Sequence, residues 1–438
     1  MKFRFDFLFP CHYLYLLSVL FFISNSSIYG KTYFVNSVNG NDNNSGLSPS
    51  SAWKTIAKVN SYRFAGGDTI SFKSGLRFSG AFLKLNSDYL TLNSFGIGER
   101  PVLDGLGKRN CVTMDSRSNI KFQDLKFVNG FPRDVELNGC FNITFDSCNV
   151  DSCAGTNIFN QNIYSGQGSN LIIRYSTISY AGQSTGGGHG IYIDGTGSTL
   201  LEFDTLISNK NDNIRIGYGY TGPFYTDKLI VRYCIIKYAG DENISDDGSR
   251  NSQFYYNVFE NDTAGWSVNI SLFEQNGYCP SRNEYYNNTF IIHDYGKDNA
   301  GFYIHTSDSI ANIKIFNNIF YLAYPGRGWA LFVEKQDLKD WQINYNLYYS
   351  KDGSRKHLWE LNGYAISSLV NWKKLGFDKN GLFKDPLFEN YKEGNYSLLM
   401  NSPAARKGKP NGTTRDIRGI SVPETNPDIG AFQSQVQN

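Results

Sequence analysis

The fold is decided by four stretches in the middle of the chain: GHGIYIDG at 188–195, NDNIRIG at 211–217, ENISDDGSRN at 242–251 and WSVNIS at 266–271. In each stretch apolar residues alternate with polar ones, a pattern that predicts a half-buried β-strand. Stacked as neighbouring strands, the four stretches would bury their apolar members and turn the others outward. The outward side chains would then form one patch: His189, Tyr192, Asp194, Asp212, Arg215, Glu242, Asp246, Asp247 and Asn269.

A second strand motif, of the form NIKFQDLKF, recurs along the chain. Its copies begin at Asn119, Asn142, Asn170, Thr199, Lys228, Ser252, Arg282, Asn312 and Trp341. Most copies lie about 29 residues apart, a period that indicates a solenoid. One such unit cannot bury its apolar face alone, but stacked units share a continuous core. The NNxF turns at 287–290 and 317–320 predict an internal asparagine ladder, in which side-chain amides hydrogen-bond from coil to coil.

The first thirty residues have the pattern of a secretory signal peptide. Lys2 and Arg4 precede an apolar run at 13–23, and small and polar residues follow through Gly30. A retained membrane anchor is the alternative. We therefore expect a secreted, periplasmic or cell-surface protein whose mature chain has no membrane span.

The remaining chain divides into three predicted regions. Residues 31–110 form an N-terminal cap and the first coils, with a short helix starting near Ala52. Residues 111–350 form the solenoid that carries the outward patch. Residues 351–438 contain a Ser-capped amphipathic helix at 367–375 and a tail that covers the end of the solenoid, because an open end would expose unpaired strand edges.

Composition narrows the class of partner. The formal net charge of +2 provides no field for gripping nucleic acid, while an aromatic content of 16% is common on surfaces that hold sugars. We expect a monomer. The cysteines after the signal are compatible either with disulfides, Cys148 with Cys153 being the nearest pair, or with small core fillers: Cys111, Cys140, Cys148, Cys153, Cys234 and Cys279.

The two ends of the chain carry longer motifs. The beginning reads YFVNSVNGNDNNSGLSPSSAWKTIAKVN at 33–60 and GDTISFKSG at 67–75, and the end reads FDKNGLFKDPLF at 377–388, SPA at 402–404 and PDIGAF at 427–432. Both resemble the ends of secreted bacterial right-handed parallel β-helix proteins, which include pectate-lyase-like polysaccharide lyases and related glycosidases. The resemblance implies an all-β, right-handed parallel β-helix with an N-terminal cap helix and a C-terminal capping tail. It also implies a polysaccharide substrate.

Within the patch, four residues are candidates for catalysis. Arg215 lies between two inward isoleucines, and its guanidinium suits a uronate carboxylate. His189 is suited to proton transfer. Tyr192 is positioned to protonate a leaving oxygen or to stack on a sugar ring, and Asp212 is a candidate carboxylate. Residues in or beside the same column are expected to bind substrate: Asp194, Trp266, Asn269, Tyr303 and His305.

The acids at 242–247 allow three interpretations. Glu242, Asp246 and Asp247 are predicted ligands of Ca²⁺, which takes several oxygen ligands. Alternatively, Asp212 and either Asp246 or Asp247 form the paired carboxylates of a glycoside hydrolase. The third interpretation is a tight turn, since DDGS is favourable turn chemistry.

Three functions remain open, and the first is preferred. In a polysaccharide lyase, Arg215 or a cation neutralises the uronate, His189 or Arg215 itself removes the adjacent proton, and Tyr192 assists departure. The second is glycoside hydrolysis by paired aspartates. The third is a non-catalytic, glycan-binding surface protein. The concentration of His, Arg and acids between 189 and 305 favours an enzyme over a uniform binding face.

Overall fold

The computed structural model describes most of the chain. The described residues are 30–80, 82–154, 160–182, 187–217, 225–261, 268–275, 277–293, 299–305, 307, 309–323, 328–351 and 358–434. The expected signal peptide, up to residue 29, and Trp266 lie outside them. No helix within these ranges is long and apolar enough to cross a membrane.

The chain winds through three parallel sheets, one strand of each per coil. A coil runs, for example, from Leu90–Phe95 in sheet 1 to Val102–Asp104 in sheet 2 and Val112–Asp115 in sheet 3. It returns to sheet 1 at Ser118–Gln123, directly beside the strand where it began. The protein is therefore a right-handed parallel β-helix, as the repeats and the resemblance predicted.

Each sheet contains twelve described strands. Sheet 1 consists of Thr32–Val35, Thr69–Lys73, Leu90–Phe95, Ser118–Gln123, Phe141–Asp146, Ser169–Arg174, Leu200–Glu202, Ile230–Arg232, Gln253–Tyr255, Glu284–Tyr286, Lys314–Phe316 and Gln342–Asn344. Sheet 2 consists of Arg77–Phe78, Val102–Asp104, Lys126–Val128, Asn149–Asp151, Thr177–Ser179, Thr205–Ile207, Ile235–Lys237, Val258–Asn261, Thr289–Ile292, Ile319–Leu322, Leu347–Ser350 and Leu382–Phe383.

Sheet 3 carries the chemically varied stretches. It consists of Leu83–Lys84, Val112–Asp115, Arg133–Asn138, Asn160–Gly166, Gly188–Asp194, Ile214–Gly217, Glu242–Asp246, Val268–Leu272, Ala300–Ile304, Trp329–Val333, Trp359–Leu361 and the antiparallel Tyr364–Ile366. Two small pairs lie outside the three sheets: Thr226–Asp227 with Ser249–Arg250, and Phe388–Asn390 with Asn395–Leu398.

The predicted asparagine ladder is present, and it separates the two members of each Asn-Asn pair. Asn288 and Asn318 point inward, and the Nδ2 of Asn288 donates to the Oδ1 of Asn318 at 3.1 Å. Asn287 and Asn317 have positive φ and bind the C-terminal tail instead. The Nδ2 of Asn317, for example, donates to the Lys409 carbonyl at 2.7 Å. Asparagine suits both positions because its short amide tolerates a left-handed backbone and bonds locally.

The N-terminal edge of sheet 1 is covered by the loop that follows it. Trp53 pairs with this edge strand, since its N–H donates to the Phe34 carbonyl at 2.8 Å. The helix begins at Ile56, capped by Thr55, and not near Ala52 as predicted. A 3-10 turn, Pro49–Ser51, precedes it.

The C-terminal end of the core is closed by the predicted amphipathic helix, Leu369–Lys374. Ser368 caps it by accepting a hydrogen bond from the Asn371 N–H at 3.2 Å. Its Trp372 is fully buried, stacks on Trp359 with centroids 5.6 Å apart, and donates its indole N–H to Asp378. A further 3-10 turn, Tyr391–Glu393, lies in the tail.

The six described cysteines are buried free thiols. Cys148 and Cys153 donate to backbone carbonyls and form no disulfide. Of the two interpretations left open by the sequence, the cysteines therefore agree with small core residues and not with disulfides.

Candidate active site

Register on sheet 3 arranges the outward side chains in three columns. Column 1 contains His189, Asp212 and Glu242. Column 2 contains Tyr192, Arg215, Ser245, Ser271, Tyr303 and Phe332. Column 3 contains Asp194, Gly217, Asp247, Phe273, His305 and Glu334. Because the columns come from successive coils, their members are neighbours in space although about thirty residues apart in sequence.

An internal asparagine ladder under column 1 determines which side chains face outward. The Nδ2 of Asn213 donates to the Oδ1 of Asn243 at 2.7 Å, and Asn243 donates likewise to Asn269 at 2.9 Å. Each asparagine turns inward at a corner of the coil. The residues that precede the first two, Asp212 and Glu242, therefore face the outside of sheet 3.

The glycines of Gly188–His189–Gly190 serve close packing. A Cβ at Gly190 would lie 2.6 Å from the Nδ2 of Asn209, whose amide occupies the ladder position there. A Cβ at Gly188 would lie 2.6 Å from the Gly182 Cα. His189 is thus held on a backbone that has no room to shift.

His189 and Asp212 form a dyad across adjacent coils. The Nδ1 of His189 lies 2.9 Å from the Oδ2 of Asp212. The two groups therefore interact electrostatically on the Nδ1 side of the imidazole, and we take Nε2 as the nitrogen that would face a ligand. The Tyr192 ring centroid lies 5.7 Å from the His189 ring centroid, and the Tyr192 hydroxyl extends over Gly217 of column 3.

Arg215 is anchored beside the dyad. Its Nη1 donates to the Ser245 Oγ at 2.7 Å and lies 3.7 Å from Asp212, while its Nη2 forms an ion pair with Asp247. Burial disfavours its charge, but Asp247, Asp212 and Glu242 outweigh this effect and raise its pKa. Arg215 is therefore a fixed cation, which leaves His189 as the base of the two residues considered.

Three carboxylates, one of them from the dyad, lie close together at this corner of the sheet. Asp212, Asp241 and Glu242 offer oxygens within 4.8 Å of one another. Burial opposes ionisation of Asp212, yet His189 and Arg215 lower its pKa to about 2. Burial and the charge of Asp212 raise the pKa of Asp241 to about 6 and that of Glu242 well above its usual range. The sequence interpretation missed Asp241, although its position directly before Glu242 was a signal.

The predicted metal ligands Glu242, Asp246 and Asp247 do not form one group, and the outward placement of Asp246 requires correction. Asp246 lies in register with the core residues Ile216 and Leu272. Its carboxylate accepts hydrogen bonds from the Gly248 and Ser249 N–H groups and the Ser249 hydroxyl. Asp246 therefore stabilises the turn, as the third interpretation held.

The expected substrate contact of Asn269 also requires correction. Asn269 is fully buried in the ladder, and Ser271 occupies its expected place in column 2. Strict alternation failed because Asn269 and its neighbour Ile270 are both buried, and the pairing with the strand Glu242–Asp246 skips Asn269. The NI dipeptides at 213–214, 243–244 and 269–270 were the signal that aligned these asparagines.

Tyr303 and His305 form a second cluster farther along the same face. The Ser271 Oγ lies 3.2 Å from the His305 Nε2, and the Tyr303 hydroxyl donates to Glu334. His305 stacks on Phe273, and burial lowers its pKa to about 4. This cluster combines the rings of Phe273, Tyr303 and His305 with the Glu334 carboxylate, whereas the group around Arg215 contains a cation.

Asp194 lies toward the other end of the face, where it accepts a hydrogen bond from Tyr164 at 3.2 Å. Burial raises the pKa of Asp194. Arg133, which the sequence interpretation missed, lies 4.1 Å from the Tyr164 ring centroid and donates to Gln161. The charged region thus extends from Arg215 over at least two coils toward the N-terminal end of the β-helix.

The fold is similar to that of known carbohydrate-active proteins. Pectate lyase Pel9A superposes over 92% of this chain and 96% of its own, with a TM-score of 0.60 and 12% identity. XylC in complex with xylose covers 93% and 99%, with a TM-score of 0.58 and 10% identity. The GH136 lacto-N-biosidase from Eubacterium ramulus covers 81% and 67%, with a TM-score of 0.51 and 12% identity. No protein-family model and no curated protein sequence matches the chain.

Proposed function

We propose that this protein is an exported polysaccharide lyase that cleaves a uronate-containing polysaccharide by β-elimination. The observation that carries the proposal is the His189–Asp212 dyad with the fixed Arg215 cation one column away. A base beside a carboxylate-binding cation is the combination that β-elimination requires. The similarity to pectate lyase Pel9A supports the fold, and the chemistry is argued from the site.

In the proposed reaction each residue has one task. The Arg215 guanidinium pairs with the uronate carboxylate and so acidifies the proton on C5. The Nε2 of His189 takes that proton, while Asp212 stabilises the imidazolium that forms. The C5–H electron pair forms the C4–C5 double bond, the C4–O bond breaks, and the Tyr192 hydroxyl protonates the departing oxygen.

Calcium remains part of the proposal. The donor set fits the ion, because Asp212, Asp241 and Glu242 offer three carboxylate oxygens within 4.8 Å of one another. These residues would hold Ca²⁺, which would add positive charge next to the uronate. Arg215 supplies such a charge without the ion.

Glycoside hydrolysis is the second candidate. The observation that favours it is the pair Asp212 and Asp241, whose pKa values are separated to about 2 and about 6. A carboxylate and a protonated carboxylic acid in one site are the usual partners in hydrolysis. The two candidates differ in product, since only elimination forms an unsaturated sugar.

The test is to incubate the purified mature protein with polygalacturonate and with alginate, with Ca²⁺ and with chelator, and to follow the ultraviolet absorbance of unsaturated uronate. We expect product, and we expect His189→Gln to lower the rate by about 10²–10⁴-fold. Tyr192→Phe should also lower it. The matched controls are His293→Gln, directly after the sheet 2 strand Thr289–Ile292, and Tyr164→Phe, one coil from Tyr192, which should retain activity.

The other outcomes decide between the remaining functions. New reducing ends without an unsaturated product would establish hydrolysis and move the test to Asp212→Asn and Asp241→Asn. Binding of glycan without any cleavage would leave a glycan-binding protein. Loss of activity in chelator, restored by Ca²⁺, would support the metal.

A further inference from the structure

A cleft lies over sheet 1, and none of the residues of the three columns lines it. Its volume is about 1230 Å³. The floor is formed by outward residues of the four sheet 1 strands from Gln253–Tyr255 to Gln342–Asn344. The walls are formed by separate segments of chain, at 335–341, 361–362, 375–379 and 409–411.

The cleft carries a surplus of positive charge. Five lysines line it, against the two acids Glu284 and Asp337. Lys314 pairs with Glu284 at 2.6 Å and Lys339 with Asp337 at 3.5 Å. Within the described part of the chain, the other lysines have no acidic partner within 4.0 Å: Lys335, Lys379 and Lys409. These three lysines come from three different wall segments of the cleft.

The floor of the cleft is aromatic and polar. Tyr286 and Phe316 lie on adjacent strands with stacked rings 5.0 Å apart, and the Lys409 Nζ lies 5.6 Å from the Phe316 ring centroid. The neighbouring side chains Gln342 and Asn344 offer amides. The stacked rings form an apolar base that supports Lys409, whose ammonium group matches a sugar carboxylate, and the amides match sugar hydroxyls.

The size of the cleft decides the kind of ligand. Pockets for single small molecules have volumes of roughly 300–1,000 Å³, and this cleft is larger. Chain segments also bound the cleft on several sides. It can therefore enclose a short run of sugars, which a flat surface cannot do.

We propose that this cleft is a second binding site for an anionic oligosaccharide segment, which holds the polymer while sheet 3 acts on it. The identity of the polymer as a polyuronate rests on the proposed function. The lysines and rings of the cleft favour an anionic ligand whatever reaction sheet 3 catalyses. Lys335 follows Glu334 of column 3 directly in the chain, so the cleft begins at the edge of the same face.

The experiment measures binding and cleavage separately. The triple variant Lys335→Gln/Lys379→Gln/Lys409→Gln is compared with a charge-matched triple of exposed lysines elsewhere, Lys54→Gln/Lys108→Gln/Lys392→Gln. Retardation in gels containing polygalacturonate or alginate reports polymer affinity, and His189→Gln is included in every variant to prevent cleavage. Turnover of short oligouronates is measured without His189→Gln.

We expect the cleft triple to weaken polymer affinity by about tenfold or more, because three charge-assisted contacts are lost. The control triple should bind as the parent does, and short oligouronates should be turned over unchanged. Phe316→Ala should weaken binding without a change in charge.

Three results would refute the proposed second binding site. They are an unchanged polymer affinity in the cleft triple, a retention lost only with Arg215→Ala on sheet 3, and no retention of either polymer by the parent. Lysine-dependent retention without any cleavage would instead refute the proposed lyase and leave the second site standing. The two proposals therefore fail by different observations.

Discussion

Adjacent residues at the corners of the coil have opposite tasks in this protein. At Asp212–Asn213 and at Glu242–Asn243 the acid faces the outside of sheet 3 and the asparagine joins the internal ladder. The ladder satisfies buried amides that would otherwise be costly. It also prevents the acid from rotating away, because the neighbouring side chain is held between two coils.

Asp246 leads to a prediction about stability and pH. Burial raises the pKa of Asp246 to about 6, from 3.8 in an unfolded chain. The folded state therefore binds a proton more tightly between these values, and stability should fall as pH rises from about 4 to about 6. The expected loss is on the order of 3 kcal/mol.

The check is the free energy of unfolding in urea from pH 4 to pH 7 for the parent and for Asp246→Asn. The variant keeps an oxygen for the Gly248 and Ser249 N–H groups but has no charge to bury. We expect the variant to become steadily more stable than the parent as pH rises. Parallel curves would show that Asp246 is ionised at no cost to the fold.

The strand Gly188–Asp194 shows how sheet 3 builds its candidate active site. Its glycines admit the Asn209 amide and the Gly182 backbone, and its His189 and Tyr192 then point outward beside Asp212 and Arg215. The strand is therefore specified by close contacts below it as well as by its own alternation.

A pair of glycine substitutions tests this packing. Gly190→Ala places a Cβ 2.6 Å from the Asn209 Nδ2 and 2.7 Å from the Asn213 carbonyl oxygen, and should destabilise the protein by about 1–3 kcal/mol. Gly197→Ala, on the next turn, meets nothing within 4 Å and should be neutral or stabilising by about 0.4–1 kcal/mol. Thermal unfolding of the two variants measures the difference. Equal melting temperatures would show that the asparagine ladder accommodates the new Cβ without a loss of stability.

The whole molecule depends on closing both ends of a solenoid whose coils contact only their neighbours. Trp53 pairs with the first strand of sheet 1, and the helix Leu369–Lys374 covers the last coil with Trp372. The asparagine ladder ends at the same place, since Asn346 donates to Asp378. The caps and the ladders thus terminate together.

Trp372→Ala should cost about 3–5 kcal/mol, because it removes a fully buried ring and leaves Asp378 without the indole donor. The matched control on the same helix is Val370→Ala, whose side chain is 64% exposed and whose effect should lie within about 0.5 kcal/mol. Urea unfolding of both variants tests the cap. A loss for Trp372→Ala no larger than the control would show that the helix is dispensable.

Much of the architecture could be predicted from the sequence, because its signals are local. The period of about 29 residues, the alternation within strands and the Ser-capped helix near the end each depend on a short stretch of chain, and all three agree with the structure. The alternation also brings His189, Asp212 and Arg215 together on one face, and their role in catalysis stays a prediction.

By itself the sequence determined that this chain is a parallel β-helix with a charged patch on one sheet. The folded structure was needed to place Asn269 inward, to bring Asp241 next to Asp212 and Glu242, and to bring lysines from three segments together over sheet 1. Alternation fixes the side of a residue only inside a straight strand. At a corner, the side depends on the coil above and the coil below, and those contacts exist only after folding.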